Sequence, residues 1–152
     1  MNNPNMKVDI CGVTFNNPII AASGTFGFGL DYTDYIDLNK IGGISVKGFF
    51  NYPKLGNPPP RIAETPSGIL NSVGLQSPGV DDFLNEYLPK LKQYDTKIIA
   101  NVNGSTIEDY CKLTKRLQNT DIDMIELNIS CPNVKEGGLA FGAKPEMVYA
   151  IT

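Results

Sequence analysis

A parallel α/β barrel is the fold class this sequence predicts, and three observations predict it. Apolar, strand-like runs alternate with amphipathic helical runs along the chain, a pattern that builds parallel sheets through right-handed crossovers. Each strand-like run keeps its polar residues on one face. Those residues gather at the C-terminal end of the run, where parallel α/β proteins build their sites. A lumen lined in this way suits a barrel better than an open sheet, whose central strands are apolar on both faces.

The elements follow in order. Residues 7–17 read as a short hairpin with Gly12 near its turn. Residues 18–23, "PIIAAS", read as a first buried strand, followed by the glycine-rich "GTFGFG" of 24–29. Residues 31–38 read as a short helix and 42–48, "GGISVKG", as a second strand. Residues 49–79 carry six prolines and no clear periodicity; a long structureless stretch in a compact domain points to function or to disorder. Residues 80–94 place Phe83, Leu84, Tyr87, Leu88 and Leu91 on one helical face, with Pro89 expected to kink it. Residues 97–104 form the third strand. Residues 105–118 form a helix opened by a capping box, Ser105 with Glu108, and its inner stripe is Ile107, Tyr110, Cys111, Thr114 and Leu117. Residues 123–130 are the fourth strand, and Pro145 opens a helix over 144–152.

Composition narrows the function. The chain has 152 residues, 41% hydrophobic and 19% charged, which suits one domain with a sizeable core. A net charge of −3 argues against nucleic acid or an anionic membrane as partner. The start "MNNPNMKVDI" lacks the pattern of a secretory leader, and no apolar run reaches membrane-span length. Three cysteines without CxxC spacing disfavour disulfides and zinc and fit a reducing cytoplasm. The sequence contains no histidine. Ser-His and Cys-His pairs are therefore excluded, no metal site is expected, and proton chemistry falls to Cys, Lys, Tyr, Asp or Glu.

Strand parity then picks out side chains. Strand one puts Ile19, Ala21 and Ser23 on one face, strand two Ser45 and Lys47, strand three Ile99, Asn101 and Asn103. Strand four puts Glu126, Asn128 and Ser130 together, with Ile125, Leu127 and Ile129 opposite. Cys131 follows at once, and Pro132 keeps it out of helical geometry at an exposed corner. An ordinary thiol titrates at about 8.5, so modest activation makes it a base near neutral pH.

The motifs "ASGTFGFG", "GGISVKG", "GNPPPRIAETPSGILNSVGLQSPG", "IIANVNGST" and "IELNISCPNVKEGG" run in this order. Together they resemble the class 1 dihydroorotate dehydrogenases, most closely the class 1B catalytic subunit, across essentially the whole chain. The resemblance implies a (β/α)8 TIM barrel that binds FMN and oxidises dihydroorotate to orotate in pyrimidine biosynthesis. It implies Cys131 as the base that takes the C5 proton while hydride leaves C6. Ser23, Lys47, Gly48, Asn101 and Asn128 would contact FMN. Lys47, the segment Asn71, Ser72, Val73, Gly74 and Leu75, Asn128 and Asn133 would contact the substrate. Further implied are a homodimer of catalytic subunits and a partner subunit carrying FAD and an iron–sulfur cluster, which delivers electrons to NAD. The family barrel has eight β/α units, whereas this chain holds about four plus the hairpin. Residues 1–152 are accordingly expected to be the N-terminal half of one FMN-binding barrel domain, inactive in isolation.

Two other readings stand beside this one. A dihydropyrimidine dehydrogenase has a similar barrel and a base cysteine, but its substrate lacks the carboxylate. An inert half-barrel with open sheet edges is the non-enzymatic alternative. Glu126 reads as structural, Cys11 and Cys111 as packing residues, and residues 31–38 as core rather than a stacking platform.

Overall fold

The computed structural model describes residues 4–130 and 139–152, the side chains of residues 139 and 140 excepted. An N-terminal hairpin pairs β1 (Val8–Ile10) antiparallel with β2 (Val13–Phe15) through the two-residue turn Cys11–Gly12. Both turn residues have positive φ, 50° and 84°; a two-residue turn with that geometry matches the twist of its strands.

Four parallel strands make the main sheet: β3 (Ile20–Ala21), β4 (Gly43–Ser45), β7 (Lys97–Val102) and β8 (Met124–Leu127). Their order is β3-β4-β7-β8, each beside its predecessor. That sequential winding is how a (β/α) barrel closes; a doubly wound sheet reverses its order. The run 18–23 is not a buried strand. Only two of its residues pair, and Ile19 and Ile20 are 61% and 38% exposed, because β3 lies at one edge of the described sheet.

The connections differ from expectation in three places. Residues 31–38 form no helix; short 3-10 turns occupy Leu30–Tyr32 and Leu38–Lys40 instead. The stretch 49–79 holds a second hairpin, β5 (Ile62–Thr65) against β6 (Gly68–Asn71), turning at Pro66–Ser67. The helix over 80–91, α1, runs through Val80–Asp82, a wide π segment Phe83–Tyr87 and Leu88–Leu91. Pro89 cannot donate to the ladder and its ring crowds the preceding turn, which explains the widening just ahead of it.

Helix α2 (Ile107–Leu117) is capped one residue later than expected: Thr106 and Asp109 make the box. Its buried stripe is Tyr110, Leu113 and Leu117, and Cys111 is exposed rather than inward. Two short helices follow, α3 (Leu139–Gly142) and α4 (Pro145–Ile151). Phe83 and Leu91 of α1 and the α2 stripe pack against Ile44, Val46, Ile98, Ala100 and Val102 on the outer face of the sheet. Phe28 of the glycine-rich loop joins this core, stacking on Tyr87 at 4.1 Å between ring centres. Among the described residues no helix is long and apolar enough to cross a membrane.

Candidate active site

Register explains how the sheet makes a site. In the parallel ladders Ser45 pairs with Ile99, Asn101 with Glu126 and Ile99 with Met124. Paired residues share a face. Ser45, Asn101 and Glu126 therefore point to the side opposite the helices, and a cleft of about 580 Å³ opens there. Ser23, Ser45, Asn101, Glu126, Asn128 and Ser130 supply its polar lining, and Ile20, Ala22, Leu127 and Ile129 its apolar lining.

Parity holds for Asn101 and Glu126 in strands three and four and fails in two ways, at strand one and the end of strand four and then at Lys47. Ala21 pairs with Ile44 and packs against the outer core, so Ile20 and not Ala21 faces the cleft. Ser23 reaches the cleft because the chain has already left strand geometry there. Ile129 turns into the cleft for the same reason, beyond the end of β8.

Lys47 is the second departure. Val46 donates its N–H to Ile99 O at 3.0 Å, and Phe49 donates to Asn101 O at 3.1 Å. Three residues on one strand thus span two on its neighbour, which is a β-bulge at Lys47–Gly48. The extra residue breaks the alternation at Lys47, which is half-buried and is not among the residues lining the cleft. Its backbone N–H is held by Gly27 O at 2.7 Å, tying the bulge to the glycine-rich loop. A side chain at Gly48 would collide with the carboxamides of Asn101 and Asn103. Any larger residue at this buried position would have to displace those two carboxamides.

The amides form a directed chain. Asn101 Nδ2 donates to Glu126 Oε1. Asn128 Nδ2 donates to Asn101 Oδ1 at 3.1 Å. Ser130 N and Oγ donate to Asn128 Oδ1 at 3.4 and 3.5 Å. Tyr110 OH donates to the Asn128 carbonyl at 2.6 Å, so α2 fixes the backbone where β8 ends. Two side-chain groups at this end are buried without a hydrogen-bond partner, Ser45 Oγ and Asn103 Nδ2.

The segment Asn71–Leu75 does not join this cleft. Asn71, Ser72, Val73 and Gly74 line a separate hollow of about 290 Å³ with Lys54, Gly56 and Asn57. Asn57 holds that segment in place: its N–H donates to Val73 O and its Nδ2 to Ser72 O. Leu75 adopts φ 56° and lines neither hollow. Cys131 and Asn133 lie outside the described residues. Sequence reasoning left Ser45 and Glu126 off the site; their shared parity with Lys47 and Asn128 was the available signal. Among the described residues no group of three His, Cys, Asp or Glu could hold a metal. Asp37 and Asp123 are the carboxyls held below their usual range, by the Asn39 side chain and backbone at Asp37 and, against burial, by the Ile98 N–H and two lysines at Asp123. Both lie by the N-terminal ends of the strands, away from the cleft.

The profile of the family described as dihydroorotate dehydrogenase matches residues 5–152. The catalytic subunit of dihydroorotate dehydrogenase B (NAD(+)) from Alkaliphilus metalliredigens is 58% identical over 152 residues, covering 100% of this chain and 50% of that protein. The subunit of the same name from Petrotoga mobilis is 57% identical over 141 residues, covering 93% of this chain and 47% of that protein. The chain thus spans about half the length of the relatives it matches. Among solved structures, that of the Eimeria tenella dihydroorotate dehydrogenase in complex with ferulenol superposes with a TM-score of 0.65 at 23% identity. It covers 98% of this chain and 42% of that one, and shows the same fold.

Proposed function

The chain belongs to the dihydroorotate dehydrogenase family, and from that premise we propose that it contributes one half of a flavin-dependent site that oxidises dihydroorotate to orotate. The observation that carries the proposal is the convergence of Asn101, Glu126, Asn128 and Ser130, with the unpartnered Ser45 hydroxyl, on one cleft directly before Cys131. The described residues fit a flat, polar heteroaromatic group such as FMN. Ser45 Oγ offers a buried donor without a partner, and Gly48 removes the side chain that would crowd the amide wall.

In this reading Ser23, Lys47, Gly48, Asn101 and Asn128 hold FMN. When bound, the flavin supplies a two-electron acceptor for the hydride that leaves C6. The thiolate of Cys131 takes the C5 proton, and the two losses leave the C5–C6 double bond of orotate. Lys47 has no carboxylate partner among the described residues, which leaves its ammonium for the substrate carboxylate. Amide and backbone groups of Asn71, Ser72, Val73, Gly74 and Leu75, with Asn128 and Asn133, suit the donors and acceptors of a pyrimidine dione. The long connection of residues 49–79 would cover the site against water.

Residues 1–152 are proposed as the N-terminal half of a single FMN-binding barrel domain in a cytoplasmic protein. Its relatives' names favour dihydroorotate over dihydropyrimidines without a carboxylate, and NAD as final acceptor; a partner subunit carrying FAD and an iron–sulfur cluster is proposed as the route of the electrons. Pairing of two catalytic subunits is part of the same proposal.

The test is anaerobic. The chain is co-expressed with the matching second half of the Alkaliphilus metalliredigens relative, loaded with FMN and mixed with dihydroorotate. Bleaching of the flavin absorbance is expected. Cys131→Ser should retain FMN and slow bleaching by about a thousandfold, the scale of a lost general base. A flavin-loaded assembly that never bleaches, or a serine variant with unchanged rate, overturns the reading.

A further inference from the structure

We propose that Glu126 is a positioning residue that sets the direction of every amide on the cleft wall; the proposal rests on the functional reading above for its consequence to a ligand. A carboxylate accepts hydrogen bonds and cannot donate them. Asn101 bonds Glu126 and must therefore present its NH2 group there. Its planar amide then has its oxygen on the other side, where it meets the NH2 group of Asn128 at 3.1 Å. Asn128 in turn has its oxygen left to face Ser130, whose N–H and hydroxyl stand at 3.4 and 3.5 Å. One fixed acceptor at Glu126 thus orients two carboxamides in series and ends on the residue before Cys131.

Turning Asn101 over would set oxygen against oxygen at Glu126 and nitrogen against nitrogen at Asn128, and turning Asn128 over would set its oxygen against that of Asn101. None of these contacts forms a hydrogen bond. Asn101 is 2% exposed, so water offers it little alternative partner. The two bonds to Asn128 Oδ1 are long. That oxygen keeps acceptor capacity for an N–H on a bound ring, and the wall is fixed as an acceptor there rather than a donor.

Replacing the carboxylate by an amide removes the single direction, since a glutamine can either donate or accept. The experiment follows the side-chain NH2 protons of the 15N-labelled chain and of Glu126→Gln by hydrogen exchange, then titrates both with FMN after assembly with the second half of the Alkaliphilus metalliredigens relative. In the unmodified chain Asn101 and Asn128 should exchange at least about tenfold more slowly than the exposed Asn85, as hydrogen-bonded amides do. Glu126→Gln should lose protection at Asn128, which Glu126 does not touch, with the backbone amides of β7 and β8 unchanged. Binding of FMN should weaken about tenfold, the scale of one misdirected hydrogen bond.

Equal exchange of Asn101, Asn128 and Asn85 in the unmodified chain overturns the proposal whether or not the variant folds. So does a variant that keeps Asn128 protected, or one that loses protection while FMN binds as before. An unmodified assembly of the two halves that takes no FMN counts against the functional reading instead, and the amide exchange decides the relay by itself.

Discussion

The two ends of the four-stranded sheet handle their polar groups in opposite ways. At the N-terminal end the groups are mostly satisfied. Asp123 accepts from Ile98 N at 2.9 Å and from Lys97 and Lys92 at 3.1 and 3.3 Å. Asn17 accepts from the N–H groups of Ile19 and Gly42, and Asn39 from that of Asp95. Phe15 of the hairpin is 1% exposed and lies so close to Gly43 that an added Cβ would sit 2.9 Å from its ring. Thr96 Oγ1 is the exception, buried there without a partner. At the C-terminal end Ser45 Oγ and Asn103 Nδ2 lack partners and the amide chain ends on weak bonds. Unmade hydrogen bonds are costly in a finished core. One end looks built for stability and the other for a ligand, which is the division expected of a barrel.

The largest effect that could break this comparison is at the lower end. Phe15→Ala should cost about 3 kcal/mol, the scale of a buried phenyl deleted with partial collapse. Urea denaturation would measure it, and the side-chain amide signals of Asn101 and Asn128 should not move. A loss below about 1 kcal/mol would mean that the hairpin is an ornament rather than a base plate.

Ser45→Ala sharpens the comparison from above. Removing a buried hydroxyl that has no partner relieves a desolvation cost, against which stands a small void. The free chain should gain about 1 kcal/mol in thermal or urea unfolding while FMN retention falls. Thr96→Val should give a similar gain with FMN retention intact. If Ser45→Ala destabilises the free chain, its hydroxyl has a structural partner and the division between the ends is weaker.

Much of this was legible in the sequence, and the failures have physical causes. The faces of β4, β7 and β8 follow from alternation alone, because each ladder is regular over the residues that carry Ser45, Asn101 and Glu126. The break in alternation at Lys47 comes from the bulge: parity counts residues, and one unpaired residue breaks the count, with Gly48 as its sole trace in the sequence. "STIED" contains two overlapping capping boxes, and a backbone choice between Ser105 and Thr106 decides which one forms. The β5–β6 hairpin was hidden by its prolines, which read as an irregular stretch although Pro66 sits in the turn and interrupts no strand. "PIIAAS" looked buried because apolar content does not say where in a sheet a strand will sit. The relay direction required knowing that Glu126 and Asn101 are register partners, which no single-strand reading supplies.

The smallest predicted effect concerns the lower end again, and its sign is fixed by the linkage. Burial acts to raise the Asp123 pKa, but the Ile98 N–H, the Lys97 hydrogen bond and the charges of Lys92 and Lys97 outweigh it, so the carboxyl lies below its ordinary range. A depressed carboxylate pKa means that the folded chain binds this proton less well than the unfolded chain. The stabilisation is therefore complete above the unfolded value of about 3.9 and is lost as pH falls through the lower folded value. Both lysine side chains remain about one-third exposed, 36% and 34%, and solvent screens such pairs. Asp123→Asn should accordingly cost no more than about 1 kcal/mol at neutral pH. The gap between the variant and the unmodified chain should narrow once pH drops below about 3.9. Paired urea titrations across that window measure it. A gap that stays constant down to the folded value would show that Asp123 acts through its shape and its bond to Ile98. The lower end would then owe its closure to packing and backbone bonds, with no share from charge.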